Sequence, residues 1–257
     1  MCLVFVAVDA HPAYRLVLAG NRDEAHARPA APLAAWTDAP GVLAGRDLDA
    51  GGTWLGATES GRWATVTNVR DPASVRPDRR SRGALVADFL RGTDTPEAFA
   101  ARVQADRDRT NGFNLLVGDG SAVWYASSRR DRAERLGPGV YGLSNDALDT
   151  PWPKLTHGRD AFAALLGAER LGAAGLLPFL RDEAPAEDRD LPETGVGLAL
   201  ERVLSPMFIR GEAYGTRAST ALLLHRGGGQ IAERSWGPDG ARGGLVSLSW
   251  DAVQAGA

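Results

Sequence analysis

The chain opens Met1-Cys2-Leu3-Val4-Phe5-Val6-Ala7-Val8-Asp9-Ala10-His11-Pro12-Ala13-Tyr14-Arg15-Leu16-Val17-Leu18-Ala19-Gly20-Asn21-Arg22-Asp23-Glu24, and this stretch decides the fold. Residues 2–8 are an apolar, β-branched run stopped by Asp9-Ala10-His11-Pro12, and residues 14–20 are a second run ending at Gly20. Two such runs around a turn predict a hairpin buried in a sheet. Chain ends generally fray, so a strand this close to the amino end has to be held, and sheet pairing is the means. The hairpin also carries the polar cluster Gly20–Glu24 to the outer ends of the strands, beside Cys2.

Outward from there, strands are predicted at 53–57 and 62–68, with Glu59-Ser60-Gly61 as the turn between them. Residues 69–80 are polar, Arg-rich and marked by Pro, hence a loop. Ser81 can cap a helix over 82–91, where Leu85, Val86, Phe89 and Leu90 recur at helical spacing, and Thr95-Pro96-Glu97 opens another over 96–105. Strands return at 113–118 and 121–127 around Asp119-Gly120, then at 132–136 and 139–143. Residues 151–167, 170–182 and 196–204 read as helices, with an acidic loop near 183–194. Strands at 215–225 and 230–236 flank Gly227-Gly228-Gly229. Strands and helices are segregated rather than alternating, so the expected class is α+β with antiparallel sheets, one domain over residues 1–257.

Composition narrows the function classes. The 257 residues are 44% hydrophobic and 24% charged, with a net charge of −3 that gives no reason to expect nucleic acid or an anionic membrane as partner. One cysteine permits neither an intrachain disulfide nor a multi-thiolate zinc site, and the scattered His11, His26, His157 and His225 lack metal-ligand spacing. No metal or cofactor is therefore expected, and nothing implies an oligomeric state. The opening apolar run is too short for a signal peptide, and no run reaches the roughly 18 apolar residues of a membrane span. A soluble, cytoplasmic protein is expected. All but Lys154 of the 29 basic residues are Arg, a bias that suggests a GC-rich bacterial genome.

Cys2 is the first candidate for chemistry. Cysteine is small enough for an aminopeptidase to remove Met1, leaving an α-amine of pKa about 7.7–8 beside the thiol as its own base. The competing reading is a small core residue, since free cysteines are commonly buried. Arg22 or Asp23 could orient that amine or bind a substrate carboxylate; alternatively the cluster is a solvated turn. Asn68 and Asn145, at predicted strand ends, are the amide type that stabilises an oxyanion, or turn residues bonding their own backbone.

These residues carry a resemblance. The Met-Cys-Leu opening, Gly20-Asn21-Arg22-Asp23-Glu24 with Arg28-Pro29, Gly52-Thr53-Trp54-Leu55-Gly56, Thr67-Asn68 and Ser81-Arg82-Gly83 are similar to the NRDE family, named after transport and Golgi organisation protein 2. So are Phe113-Asn114-Leu115, Leu143-Ser144-Asn145, Thr150-Pro151-Trp152-Pro153-Lys154 and Gly215-Thr216-Arg217-Ala218-Ser219-Thr220, in order along nearly the whole chain. The family in turn resembles N-terminal-nucleophile (Ntn) hydrolases of the choloylglycine hydrolase and penicillin V acylase type. That implies a four-layer αββα sandwich and amide cleavage by an N-terminal Cys. It implies Cys2 as nucleophile, Asp23 near the α-amine, Asn68 and Asn145 at the oxyanion, Arg22 assisting, and Asn21, Glu24 and Arg217 contacting a small-molecule substrate. Those hydrolases carry an Arg just before the Asn-x-Asp, where this chain has Gly20; consecutive strand residues point to opposite faces, so a shifted Arg can point away from the thiol. Eukaryotic relatives are implicated in haem mobilisation and in acyl-CoA and lipid homeostasis, which implies the alternative of a non-catalytic pocket for haem or a lipid-like ligand.

Overall fold

The computed structural model describes residues 2–168 and 170–251. Six strands come first: β1 (Cys2–Val8), β2 (Leu16–Ala25), β3 (Ala30–Ala35), β4 (Val42–Asp47), β5 (Leu55–Thr58) and β6 (Trp63–Asn68). Helices α1 (Arg82–Arg91) and α2 (Pro96–Ala105) follow. Next are β7 (Phe113–Gly118), β8 (Val123–Ser127), β9 (Glu134–Leu136) and β10 (Gly139–Leu143), then α3 (Pro153–Leu165), α4 (Ala173–Leu176) and α5 (Leu198–Val203). The last strands are β11 (Tyr214–His225), β12 (Gly228–Trp236) and β13 (Arg242–Asp251).

The strands form two antiparallel sheets, one ordered β10-β1-β2-β11-β12-β13 and the other β3-β4-β5-β6-β7-β8-β9. Alternation along each strand builds the layers. On β1 and β2, Cys2, Val4, Val6, Val8, Leu16 and Leu18 face the second sheet and meet Leu55, Trp63, Leu116 and Tyr125 from it. The intervening Leu3, Phe5, Ala7, Val17 and Ala19 face outward and pack under α3 and α4. The outer face of the second sheet, Val42, Ala44, Val66, Phe113 and Leu115, packs under Leu85, Phe89, Phe99 and Val103 of α1 and α2. The result is the helix–sheet–sheet–helix sandwich of an α+β fold. Among the described residues, no helix is long and apolar enough to cross a membrane.

The structure revises several sequence expectations. The second strand does not stop at Gly20 but runs to Ala25, so the polar cluster is inside a strand and not a solvated turn. It is tolerated there because Asn21, Arg22 and Asp23 are each given partners (below). β3, β4 and β13 had no counterpart in the sequence reading. The helix expected over 170–182 is one α turn followed by a 3-10 segment, Leu177–Arg181, as Pro178 lacks the N–H an α-helix needs. The 69–80 loop contains a short 3-10 turn, Pro72–Ser74, and an isolated bridge from Arg80 to Thr110.

Candidate active site

Interior position holds the amino end. β1 pairs with β10 on one side and β2 on the other, and the register sets Cys2 directly opposite Arg22, with Leu3 opposite Asn21. Directly opposed residues share a face. Arg22 therefore points to the same side as the thiol: its offset from position 20 is two residues, which preserves strand parity. Gly20 could not hold the Arg itself, because a Cβ there would sit 2.5 Å from the Leu3 carbonyl oxygen.

Cys2, 6% exposed, lines a cleft of about 480 Å³ between the sheets. The cleft is closed on one side by β3 and β4 and on another by the 77–83 segment, with Trp54 and Trp236 also in its lining. Asn111 fastens the loop on that side, its side chain accepting from the Arg76 N–H and donating to the Arg76 carbonyl, both at 2.8 Å. Arg22, Glu24, Asn68 and Arg217 line the same space, and Asp23 borders it. Arg22 lies 3.5 Å from Asp47 and 3.7 Å from Glu24. Arg217 donates from one Nη to the carbonyls of Ala25, His26 and Arg28, clasping the turn after β2.

Asp23 is 1% exposed, accepts from Thr216 Oγ1 at 2.8 Å and has its carbonyl bonded by the Tyr214 hydroxyl. Burial pushes its carboxyl up, while the amino-terminal charge, Lys154 and Arg70 pull it down. Burial likewise raises the Cys2 thiol, against the amino-terminal positive charge; Asp23 adds to the rise and Arg22 opposes it. A desolvated thiol and a buried carboxyl thus lie within each other's field.

The remaining sequence candidates divide. Asn68 lines the cleft, and among the described residues its side chain makes no hydrogen bond. Asn145 is brought beside it but is 1% exposed, and its Nδ2 donates to the Asn68 carbonyl at 2.9 Å. Asn21 is not brought to the cleft. It lies on the outward face, donating to the Leu180 and Met207 carbonyls and accepting from Ser219, so it ties β2 to the helical layer.

Three residues of this neighbourhood escaped the sequence reading. Arg82 opens a helix and belongs to the Ser81-Arg82-Gly83 motif, with no role assigned from sequence. It donates to the Gly112 carbonyl, and although burial works against its charge, Cys2 and Glu24 lie close enough to favour it. Glu233 is 5% exposed in the cleft wall, accepting from the Leu33 N–H and Thr220 hydroxyl, with its carboxyl raised by burial. Lys154 lies behind the site, 6% exposed, donating to the Leu204 carbonyl at 2.8 Å; burial lowers its ammonium to about 8 against the pull of Asp23. Its sequence signals are that a chain rich in Arg keeps one Lys and that Lys154 ends the Thr150–Lys154 motif, and neither assigns it a role.

Comparison with known proteins adds the relationship. A conjugated bile acid hydrolase mutant from Clostridium perfringens, known from a crystal structure, is 9% identical with a TM-score of 0.44, covering 97% of this chain and 92% of that one. That likeness is weak and assigns no chemistry. Sequence relatives are nearer. A Mus musculus transport and Golgi organization 2 homolog is 34% identical over 89% of this chain and 90% of its own length. The Bos taurus homolog is 35% identical over the same shares, and the Drosophila melanogaster protein is 30% identical over 87% and 88%. The family model described as Transport and Golgi organisation 2 matches residues 1–238, and with these relatives it makes the chain a member of that family.

Proposed function

We propose that the protein is a cysteine Ntn amidohydrolase that cleaves a linear amide of an N-acyl-type small molecule. The observation that carries this reading is Cys2 at the first position of an interior strand, lining a cleft, with Arg22 opposite on its own face. After Met1 removal, the α-amine takes the thiol proton and the thiolate attacks the amide carbonyl. The tetrahedral oxyanion is met by the Asn68 amide. The amine then returns the proton to the leaving nitrogen, and water hydrolyses the thioester. Asp23 orients the α-amine from behind, and Arg22 stabilises charge on the thiol side.

A second reading has its own support. The Asn145 amide is turned to the Asn68 carbonyl rather than the cleft, and burial disfavours the thiolate. Both suit a non-catalytic pocket for haem or a lipid-like ligand.

One experiment separates them: amide hydrolysis across N-acyl amino acids beside a haem titration, for wild type, Cys2→Ser and Asp23→Asn. For an enzyme, Cys2→Ser should abolish turnover by several orders of magnitude with ligand binding kept, and Asp23→Asn should cost about 10²-fold. Turnover that survives Cys2→Ser ends the enzyme reading. No turnover, together with saturable haem binding, favours the carrier. Intact mass should show Met1, which lies outside the described residues, absent from active protein.

A further inference from the structure

The Cys2 cleft holds an excess of positive charge. Its lining contains seven arginines (22, 28, 46, 79, 80, 82 and 217) against four carboxyls (Asp23, Glu24, Asp47 and Glu233). Four of the arginines are matched: Arg22 and Arg28 share Asp47, Arg46 pairs with Asp38, and Arg80 pairs with Asp88. Among the described residues, Arg79, Arg82 and Arg217 have no carboxylate within ion-pair distance. Arg82 and Arg217 spend donors on neutral backbone carbonyls, which fixes their positions; Glu24 acts on both from a distance, while its ion pair among the described residues is with Arg22.

A guanidinium half-withdrawn from water with no carboxylate in direct contact is costly unless a ligand supplies the charge. We propose that this cleft selects substrates bearing a carboxylate, held by Arg82 and Arg217 with Arg79 at the mouth. The planar guanidinium fork matches a carboxylate. The proposal deepens the amidohydrolase reading by naming its substrate class as acyl amides with a free carboxylate, and it rests on Cys2 as the reacting atom. The structural alternative for Arg217, clasping the turn after β2, uses a single Nη and does not neutralise the residue.

The test uses two alkylating agents of similar size. The Cys2 thiolate displaces iodide from iodoacetate or iodoacetamide; an S–C bond forms, the C–I bond breaks, and iodide leaves. With one cysteine in the chain, the readout by intact mass is unambiguous, and no turnover is needed. At low salt the iodoacetate-to-iodoacetamide rate ratio at Cys2 should exceed that of glutathione by roughly tenfold. It should collapse toward the glutathione value in about 0.5 M KCl. Arg82→Gln should lower the ratio at least about threefold, and Arg82→Lys should restore only part of it, because lysine keeps the charge and loses the fork. Arg135→Gln, at the opposite end of the sandwich beside Val8 and Leu16, should leave it unchanged. The salt series on wild type needs no variant to fold. Acetate and inorganic phosphate as protectants compare carboxylate with phosphate, and better protection by phosphate overturns the carboxylate assignment. A wild-type ratio equal to that of glutathione at low salt overturns charge selection and leaves the hydrolase reading standing. Refusal of both reagents overturns the two together.

Discussion

Lys154 shows how much a single buried charge can govern. Its ammonium donates to the Leu204 carbonyl and sits in the field of Asp23, Glu201 and Arg70, and its pKa falls from 10.5 to about 8. Because the folded value lies below the unfolded one, the unfolded chain binds the extra proton between about pH 8 and 10.5, so this group's penalty on stability is full below pH 8 and is relieved as pH rises through that window. The shift corresponds to roughly 3 kcal/mol at most. Wild type should therefore gain stability relative to Lys154→Met as pH goes from 8 to 10, read as the difference in urea midpoints; a flat difference refutes it. Residues at this scale were unevenly legible. Cys2 stood out by its place after Met1, and Arg22 and Asp23 because polar groups followed an apolar run. Glu233 did not, because a Glu on a strand is commonplace until the fold makes it a cleft wall, and Arg82 was legible as a motif residue without a role.

At the scale of elements, β2 does the positioning. It carries Arg22 opposite Cys2, Asn21 into the helical layer and Asp23 to Thr216 of β11. Close approach of β1 depends on Gly20. Gly20→Ala should destabilise by about 1–3 kcal/mol, since the added Cβ meets the Leu3 carbonyl; an unchanged denaturation midpoint would contradict this. Strands made of long aliphatic runs, such as β1, β7 and β11, were readable from their residues. β3 was not: Ala-Ala-Pro-Leu-Ala-Ala buries one side chain, Leu33, and has no run to detect. β13 is an exposed edge strand whose pairing with β12, not its burial, makes it a strand. Pro178 cut short the helix that apolar spacing suggested.

For the whole molecule, the tie between sheets matters most near the site. Glu233 on β12 of one sheet takes the N–H of Leu33 on β3 of the other, while also accepting from Thr220. Glu233→Ala leaves two buried donors unpaired, at about 1–3 kcal/mol each. The expected result is a lowered thermal midpoint with the Cys2 end of the sandwich most affected, seen as faster amide exchange in β3 than in β9; uniform exchange would argue against a local tie. The order of the strands has a consequence in time. β1 is completed only when β10, residues 139–143, has been made, and β2 waits for β11 near the end of the chain. At about 5–20 residues per second, the start of the chain stays unpaired on that side for on the order of ten seconds. On the proposed mechanism, which needs Met1 removed, that trimming belongs to the interval of synthesis, before the strand is enclosed. Ribosome-bound chains halted before residue 139 should be substrates for the aminopeptidase, and refolded protein that has kept its initiator should resist it.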